Sequence, residues 1–338
     1  MSDLSPSTSP STRRRLTVIY NPMKVEDLDG TKRIVGDVCS GAGWDEPTWV
    51  ETTKEETGEK QAKQAVSDGA DVVASLGGDG TVRAVASGLV GTDVALGLLP
   101  GGTGNLLARN LGLPVDELGT AVEAVVNGSD RRIDVGLVRA SKQHIEKLGE
   151  PEEEEETPPP RAEGEEVFLV MTGMGLDGDV MADTNEKVKA VVGWIAYVFA
   201  ALSKLFTRGF SVDVSANGSD GHAGSGDGSI NRHARSVIIG NCGHLQGGVE
   251  LMPEAKLDDG VLDAVIVAPK GALGWLSVVI DIATHHRAGH ARLDRVRGRK
   301  FIVSTERPVE AEIDGDPIGE ARSLAVRILA DGLVVRVG

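Results

Sequence analysis

Aromatic residues make up only 3% of this 338-residue chain, so whatever core it builds is aliphatic. Cysteine is nearly absent too. Cys39 and Cys242 have neither the spacing of a metal pair nor the number a disulfide framework needs, which suits a reducing cytosol. Positive charge is in deficit: 35 Lys and Arg face 51 Asp and Glu, a formal net charge of −16. Neutralising nucleic-acid phosphates takes Lys and Arg, so general nucleic-acid binding is excluded. Long hydrophobic runs are missing as well. The longest, VVGWIAYVFAALSKLF at 191–206, is too short and interrupted for a bilayer span. The opening MSDLSPSTSPSTRRR lacks an apolar centre, so residues 1–15 read as a disordered leader rather than a signal peptide. These absences point to a soluble, cytoplasmic protein that can still touch a membrane surface.

What is present is glycine, 44 residues of it, in a chain whose 40% hydrophobic content is that of a globular protein. The length exceeds one ordinary core and predicts two domains. In the first, over 16–138, strand-like runs alternate with helical patterns. LTVIYN (16–21), ADVVASLGG (70–78) and VALGLLPGG (94–102) read as buried strands. GEKQAKQAVSDG (58–69), TVRAVASGLV (81–90), NLLARNLGL (105–113) and DELGTAVEAVVNG (116–128) read as helices. Such alternation predicts an α/β domain with a parallel sheet covered on both faces. Residues 142–166 carry ten acidic and three basic side chains and read as a solvated loop. A Gly/Ser/Asp/His-rich stretch at 215–233 reads as another. Around them, EVFLVMTGMG, GFSVDV, ARSVIIGN, VLDAVIVAP, KFIVST, VEAEIDGD and LAVRILADGLVVRV predict a β-rich, sandwich-like second domain over 139–321, interrupted by one helical stretch at 183–206.

Two glycine-rich turns stand out: SLGGDGTVRAV (75–85) and LPGGTGNLLAR (99–109). Each ends an apolar strand and opens a helix. Glycine permits positive φ and close approach of a ligand, while the helix N-terminus offers amides to an anion. Neither turn is a P-loop, and neither has G-x-G-x-x-G spacing. Asp79, inside the first turn, would repel phosphates unless a divalent cation lay between. The pair therefore predicts a site for a Mg-nucleotide rather than NAD. A single turn of this kind is as readily a plain βα connection with Asp79 capping the helix; two of them favour the nucleotide.

Eight blocks then occur in a telling order: YNP (20–22), TT followed by GEKQA (52–62), GGDGTVRAV (77–85), LPGGTGNLLARNLGLP (99–114), RRIDVG (131–136), GMGLDGDVM (173–181), NCGHLQGGVELMPEAKLDDGVLD (241–263) and IDGDPIG (313–319). This set resembles the diacylglycerol kinase catalytic-domain family, which includes bacterial lipid kinases and is similar to sphingosine and ceramide kinases. The resemblance implies an ATP-dependent lipid kinase acting on a lipid hydroxyl. An N-terminal α/β domain similar to NAD kinases and phosphofructokinases would bind ATP. A C-terminal β-sandwich-like domain would form the far wall of the cleft, with 322–338 returning to the first domain. It implies nucleotide contacts from Asn21 and Thr53 (or its neighbour Thr52), from Gly77, Gly78, Asp79, Gly80, Thr81, Val82 and Arg83, and from Gly102, Thr103 and Asn105. KLDDGVLD resembles the family's Mg²⁺ site, with Asp259 as side-chain ligand and Lys256 and Val261 supplying carbonyls. Taken alone it is an Asp-Gly hairpin turn.

The family's proposed general base is the glutamate of an Asp-Gly-Glu motif. Here the stretch is Asp314-Gly315-Asp316, so Asp316 keeps the carboxylate on an arm one methylene shorter. A base must come within hydrogen-bond reach, about 2.6–3.2 Å. Asp79 is the alternative base. Asp177, in GLDG, either orients the acceptor hydroxyl or simply makes a turn. The run at 191–206 is either a buried helix or the lining of an acyl channel. HHRAGHARLDRVRGRK (285–300), with five Arg and one Lys against one Asp, is either a solvated edge or a rest for anionic headgroups. The expected partner is a lipid substrate at a membrane surface, and a homodimer fits the type. Two other readings stand: an NAD kinase-like enzyme, which should lack PGGTGNLLAR and LDDGVLD, and a non-catalytic nucleotide- or lipid-binding regulator in which Asp316 marks lost activity.

Overall fold

The computed structural model describes residues 13–102, 104–144, 160–175, 209–217, 229–244, 251–269, 274 and 293–338. The chain opens with β1 (Leu16–Tyr20), α1 (Leu28–Gly41), β2 (Thr48–Glu51), α2 (Glu59–Ser67), β3 (Val72–Gly77), α3 (Asp79–Leu89), β4 (Ala95–Pro100), α4 (Leu106–Asn110) and α5 (Leu118–Asn127). β1 pairs in parallel with β2 and β3, and β3 with β4. All five residues of β1 are buried because both faces are covered. Leu16, Val18 and Tyr20 pack with Val35 and Cys39 of α1 and with Val122 and Val125 of α5. Ile19 and Val73 face the other way, onto Ala62 and Ala65 of α2 and Val85 and Leu89 of α3.

α1 and β2 are absent from the sequence reading. The helix buries only Thr31, Val35 and Cys39, a thin stripe at four-residue spacing in a polar, glycine-bearing segment. Asp27 caps it by accepting the Gly30 N–H at 2.8 Å.

The second half is antiparallel: β5 (Ser129–Ser141), β6 (Glu166–Phe168), β7 (Met171–Met174), β8 (Phe210–Asn217), β9 (Ile230–Ala234), β10 (Ser236–Gly240), β11 (Leu262–Val267), β12 (Leu293–Gly298), β13 (Lys300–Ile313) and β14 (Asp316–Val337). Among the described residues the strands form one continuous 14-stranded sheet, ordered β12-β11-β10-β7-β13-β14-β4-β3-β1-β2, with β5–β6 and β8–β9 branching from it. The join is β14. Its first part pairs with β13, its length pairs with β5, and Val335 lies parallel to Leu96 of β4.

LAVRILADGLVVRV lies within the single strand β14. Between Leu329 and Leu333 it bulges against β5, with Asp331 at φ 52°. Asp134, opposite the bulge, accepts the Asp331 N–H at 2.9 Å and holds the extra residues in place. The two polar loops are shorter than their composition suggests. β8 and β9 extend into 215–233, and the end of 142–166 is docked: the Glu165 carboxylate takes both Arg327 Nε and Nη2 at 2.7 Å.

Candidate functional site

The two glycine turns lie against one another. A Cβ on Gly101 would come within 2.7 Å of the Gly77 nitrogen, and one on Gly102 within 2.8 Å of the Gly78 Cα. A Cβ on Gly77 would in turn meet Thr81 at 2.7 Å. Glycine is needed here because backbone packs on backbone. Both turns therefore present the starts of α3 and α4 side by side, where the first amides of each helix have no partner within the helix.

Asp79 ties the pair together. Its Oδ1 accepts the Leu106 N–H at 2.6 Å, and the carboxylate also takes the Asn105 amide and its own. Burial pushes its carboxyl up, the three amides pull it back, and Asp316 adds to the upward push. The sequence reading has a divalent ion temper Asp79; in the structure helix-start amides face it. Asn105, at φ 47°, donates its side-chain amide to the Gly102 carbonyl at 2.9 Å, fixing the second turn.

In front of the first turn opens a cleft of about 440 Å³. Of the residues expected at the nucleotide, Asn21, Thr53 and its neighbour Thr52, Gly78, Gly80, Thr81 and Arg83 line it, and so does Asp316. Asn21 and Thr53 are set by their own turns. Asn21 Oδ1 accepts the Met23 N–H at 3.0 Å, and Thr53 Oγ1 accepts that of Glu56 at 3.0 Å. Gly77 and Gly102 sit behind the lining as the packed turn backbones, and Asp79 and Asn105 face a separate small hollow. Val82 belongs to the core. Thr103 and Asp177 lie outside the described residues, as do the run at 191–206 and residues 285–292.

Asp316 reaches the cleft from the β13–β14 hairpin. Asp314 (φ 50°) and Gly315 (φ 87°) form a two-residue turn with both central residues left-handed. The Asp314 carboxylate accepts the amides of Leu169, Val170 and Met171 at 2.8–3.0 Å and fixes the hairpin against β7. Asp316 then overhangs the start of α3: a Cβ on Gly80 would be 3.2 Å from its Oδ2. That oxygen is ion-paired with Arg83 Nη2 at 2.8 Å, and Arg83 also donates to the Ile313 carbonyl.

Several lining residues escape the sequence reading: Lys24, Glu59, Ser87, Arg161 and Glu166. Arg161 comes from the stretch read as solvated and is anchored on Glu59 at 3.0 Å. Burial opposes ionisation of Glu59, but Lys63 and Arg161 outweigh it and hold the carboxyl below its usual value. A lone Arg behind a proline tract is the only sequence signal for this wall.

The KLDDGVLD segment forms a tight loop with Gly260 at φ 71°. Asp134 staples it, donating its N–H to the Leu257 carbonyl at 2.6 Å and accepting the Gly260 N–H at 2.7 Å. Arg131 pairs with Asp258 at 2.7 Å, and Arg297 bridges Asp259 at 2.5 Å and Asp263 at 3.2 Å. Burial pushes the Asp263 carboxyl up to about 6 even with Arg297 beside it. Three loop aspartates and Asp134 thus face two arginines, a surplus of negative charge. No cluster of three His, Cys, Asp or Glu suited to a metal occurs among the described residues. An ion here would use the Asp259 carboxylate with carbonyls of Lys256 and Val261, hard oxygens of the kind Mg²⁺ takes. The donor set and the surplus charge fit it.

Among the described residues no helix is long and apolar enough to cross a membrane. Comparison with known proteins agrees with this geometry. Residues 15–138 match the diacylglycerol kinase catalytic domain, and residues 170–335 match the YegS C-terminal NAD kinase beta sandwich-like domain. The chain is 28% identical over 317 residues to a "Probable lipid kinase YegS-like" of Pseudomonas putida, covering 91% of this chain and 90% of that protein. It is 25% identical over 310 residues to the diacylglycerol kinase of Staphylococcus saprophyticus, covering 90% and 89%. A crystal structure of a diacylglycerol kinase from Bacillus anthracis shares the fold with a TM-score of 0.67 at 20% identity, over 96% of this chain and 97% of that one.

Proposed function

The chain belongs to the diacylglycerol kinase catalytic-domain family, and on that premise we propose that it is an ATP-dependent lipid kinase. It moves the γ-phosphoryl group to the hydroxyl of diacylglycerol or a related lipid, working in the cytoplasm at a membrane surface. One observation carries the reading: the cleft gathers Asn21, Thr53, Gly78, Gly80, Thr81 and Arg83 with Asp316 around the start of α3, although they come from four separate stretches of chain.

In this reading the amides at the start of α3 hold the phosphate tail, where helix-end polarity favours negative charge. Arg83 neutralises charge that develops on the transferred group, and its pair with Asp316 keeps the guanidinium aimed at the cleft. Asn21 and Thr53 fix the nucleotide's remaining contacts. Positioning and charge neutralisation do most of the work in phosphoryl transfer, and little covalent chemistry is asked of the protein. Lys256, Asp259 and Val261 hold Mg²⁺ in the loop that Asp134 staples to β14. When bound, that ion supplies a fixed positive charge that offsets the loop's acid surplus.

The test is to incubate the purified full chain with γ-labelled ATP and vesicles of dioleoylglycerol in an anionic phospholipid, then identify the labelled product. Label in the lipid fraction is expected. Transfer to NAD, or ATP binding without labelling of any lipid in a total extract, would overturn the reading.

A further inference from the structure

The cleft in front of the first glycine turn has a second end. Gly80, Ala84 and Ser87 line it from one face of α3, so it follows that helix for about 10 Å from its start. α2 begins beside the far end. A Cβ on Gly88 would come within 2.5 Å of the Glu59 carbonyl oxygen, and one on Gly58 within 3.2 Å of the Val85 nitrogen. The stretch that leads into β6 crosses the same end, where a Cβ on Gly91 would meet Pro160 at 2.8 Å. The next residue, Arg161, enters the cleft there with Glu59, Ser87 and Glu166.

Arg161 is held in place from two sides. Its Nε donates to the Glu165 carbonyl at 2.6 Å, and its Nη1 to Glu59 Oε1 at 3.0 Å. Glu165 in turn accepts the Ala162 N–H at 2.8 Å and takes Arg327 of β14 through both oxygens. Of the Arg161 side chain 30% stays exposed, and among the described residues its Nη2 finds no partner. A guanidinium fixed in this way offers a donor at little entropic cost. Charge indicates what it meets. At the start of α3, helix amides and Arg83 suit phosphates. At this end Glu59 already matches the charge of Arg161, and Glu166 adds a further negative charge, so a phosphate would be repelled. A neutral ring that both accepts and donates hydrogen bonds is not.

We propose that Arg161, paired with Glu59, binds the base of the nucleotide at this far end of the cleft. This rests on the nucleotide site of the lipid-kinase reading and adds to it a residue from the acidic, proline-rich stretch. The pair presents a donor beside an acceptor: Arg161 Nη2, and the Glu59 carboxylate, whose Oε1 is shared by Arg161 and Lys63. An adenine edge is the complement, a ring-nitrogen acceptor next to an amino donor. Arg161 donates to the ring nitrogen and Glu59 accepts from the amino group. The Ser87 hydroxyl, which donates to the Arg83 carbonyl at 2.9 Å, turns its lone pairs to the same space. The phosphates then run back along α3 toward Gly80 and Arg83.

The experiment measures calorimetric binding of ADP and of inorganic pyrophosphate, at fixed MgCl₂, to the full-length chain, Arg161→Ala and Arg161→Lys. Arg161→Ala should bind ADP about tenfold more weakly and pyrophosphate within about twofold of the parent. Arg161→Lys keeps the charge but not the planar fork, so ADP should weaken about threefold or more with pyrophosphate unchanged. Melting curves check folding, and if Arg161→Ala does not fold, Arg161→Lys decides alone. In labelled transfer to dioleoylglycerol vesicles the KM for ATP should rise while kcat stays within about twofold. ADP affinity unchanged in the variants would mean that Arg161 only anchors its own stretch of chain, and overturns the assignment. Parallel losses of ADP and pyrophosphate would mark a phosphate contact and overturn it too. A parent chain that binds neither ligand defeats the nucleotide site and this assignment with it. The ADP-selective loss in a chain that labels no lipid would support Arg161 and defeat only the lipid-kinase reading.

Discussion

The Asp79 carboxylate accepts the backbone N–H of Leu106 at 2.6 Å, joining the first glycine turn to the helix that follows the second. One side chain thereby holds two phosphate-type turns in register. Replacing it with alanine leaves a largely buried amide without a partner, at about 1–3 kcal/mol. Asp79→Ala should lower the denaturant midpoint and abolish nucleotide binding. Asp79→Asn keeps an acceptor oxygen and should recover most of the stability, while phosphoryl transfer stays at least tenfold down. Full activity in Asp79→Asn would show that the charge is not needed.

Two glycines offer a steric contrast. A Cβ on Gly101 meets the Gly77 backbone at 2.7 Å, whereas one on Gly78 has nothing within 4 Å. Gly101→Ala should force the turns apart and lower the melting temperature. Gly78→Ala should melt as the parent does but bind ATP more weakly, because its methyl enters the cleft. Equal melting temperatures for the two variants would refute the packed-turn account.

Glu312 of β13 is 1% exposed, and neither carboxylate oxygen has a hydrogen-bond partner among the described residues. Its carboxyl is raised from 4.5 to about 8, so between those values the folded protein holds a proton that the unfolded chain has lost. Stability from this group is complete below about 4.5 and declines as pH rises through about 8. Glu312→Gln, which has no charge to bury, should melt several degrees higher than the parent at pH 8. The gap should shrink at pH 5. Melting curves at the two pH values decide it, and an equal gap at both would contradict the burial argument.

If Lys256, Asp259 and Val261 hold Mg²⁺, millimolar MgCl₂ should raise the melting temperature of the nucleotide-free chain and a chelator should lower it. Asp259→Asn should respond to neither. A parent chain indifferent to both would mean that Arg131 and Arg297 hold the loop acids without an ion.

Arg336 is buried, with 4% of its side chain exposed. It donates to the Val125 and Val126 carbonyls at 2.9 and 3.0 Å and pairs with Asp130. It caps the C-terminal end of α5. Arg336→Met should cost about 2–4 kcal/mol in chemical denaturation. Nucleotide affinity of the folded fraction should be unchanged, since the cleft lies elsewhere.

The two glycine turns could be read from the residues alone, because turns at strand ends depend on local backbone chemistry. Asn21, Thr53, Gly78, Gly80, Thr81 and Arg83 were implied as nucleotide contacts by the family resemblance, and they line one cleft. Val82 sits inside the motif yet turns into the core, since a helix that begins in a cleft must bury its other face. Arg161 was hidden because an acidic, proline-rich run looks solvated until its far end is seen docked on Glu59 and Arg327. α1 was hidden because a three-residue stripe is too thin for periodicity to detect.

The sequence by itself determined the alternating α/β half, the two glycine turns and the aliphatic character of the core, all consequences of side-chain period and backbone freedom. Only the tertiary structure decided how the acids divide their roles. Asp79, Asp314 and Asp316 each found amides or a guanidinium, while Glu312, on the same hairpin as Asp314 and Asp316, was buried with none among the described residues. Such a distinction depends on which distant backbone groups converge in space, and local sequence carries no record of that.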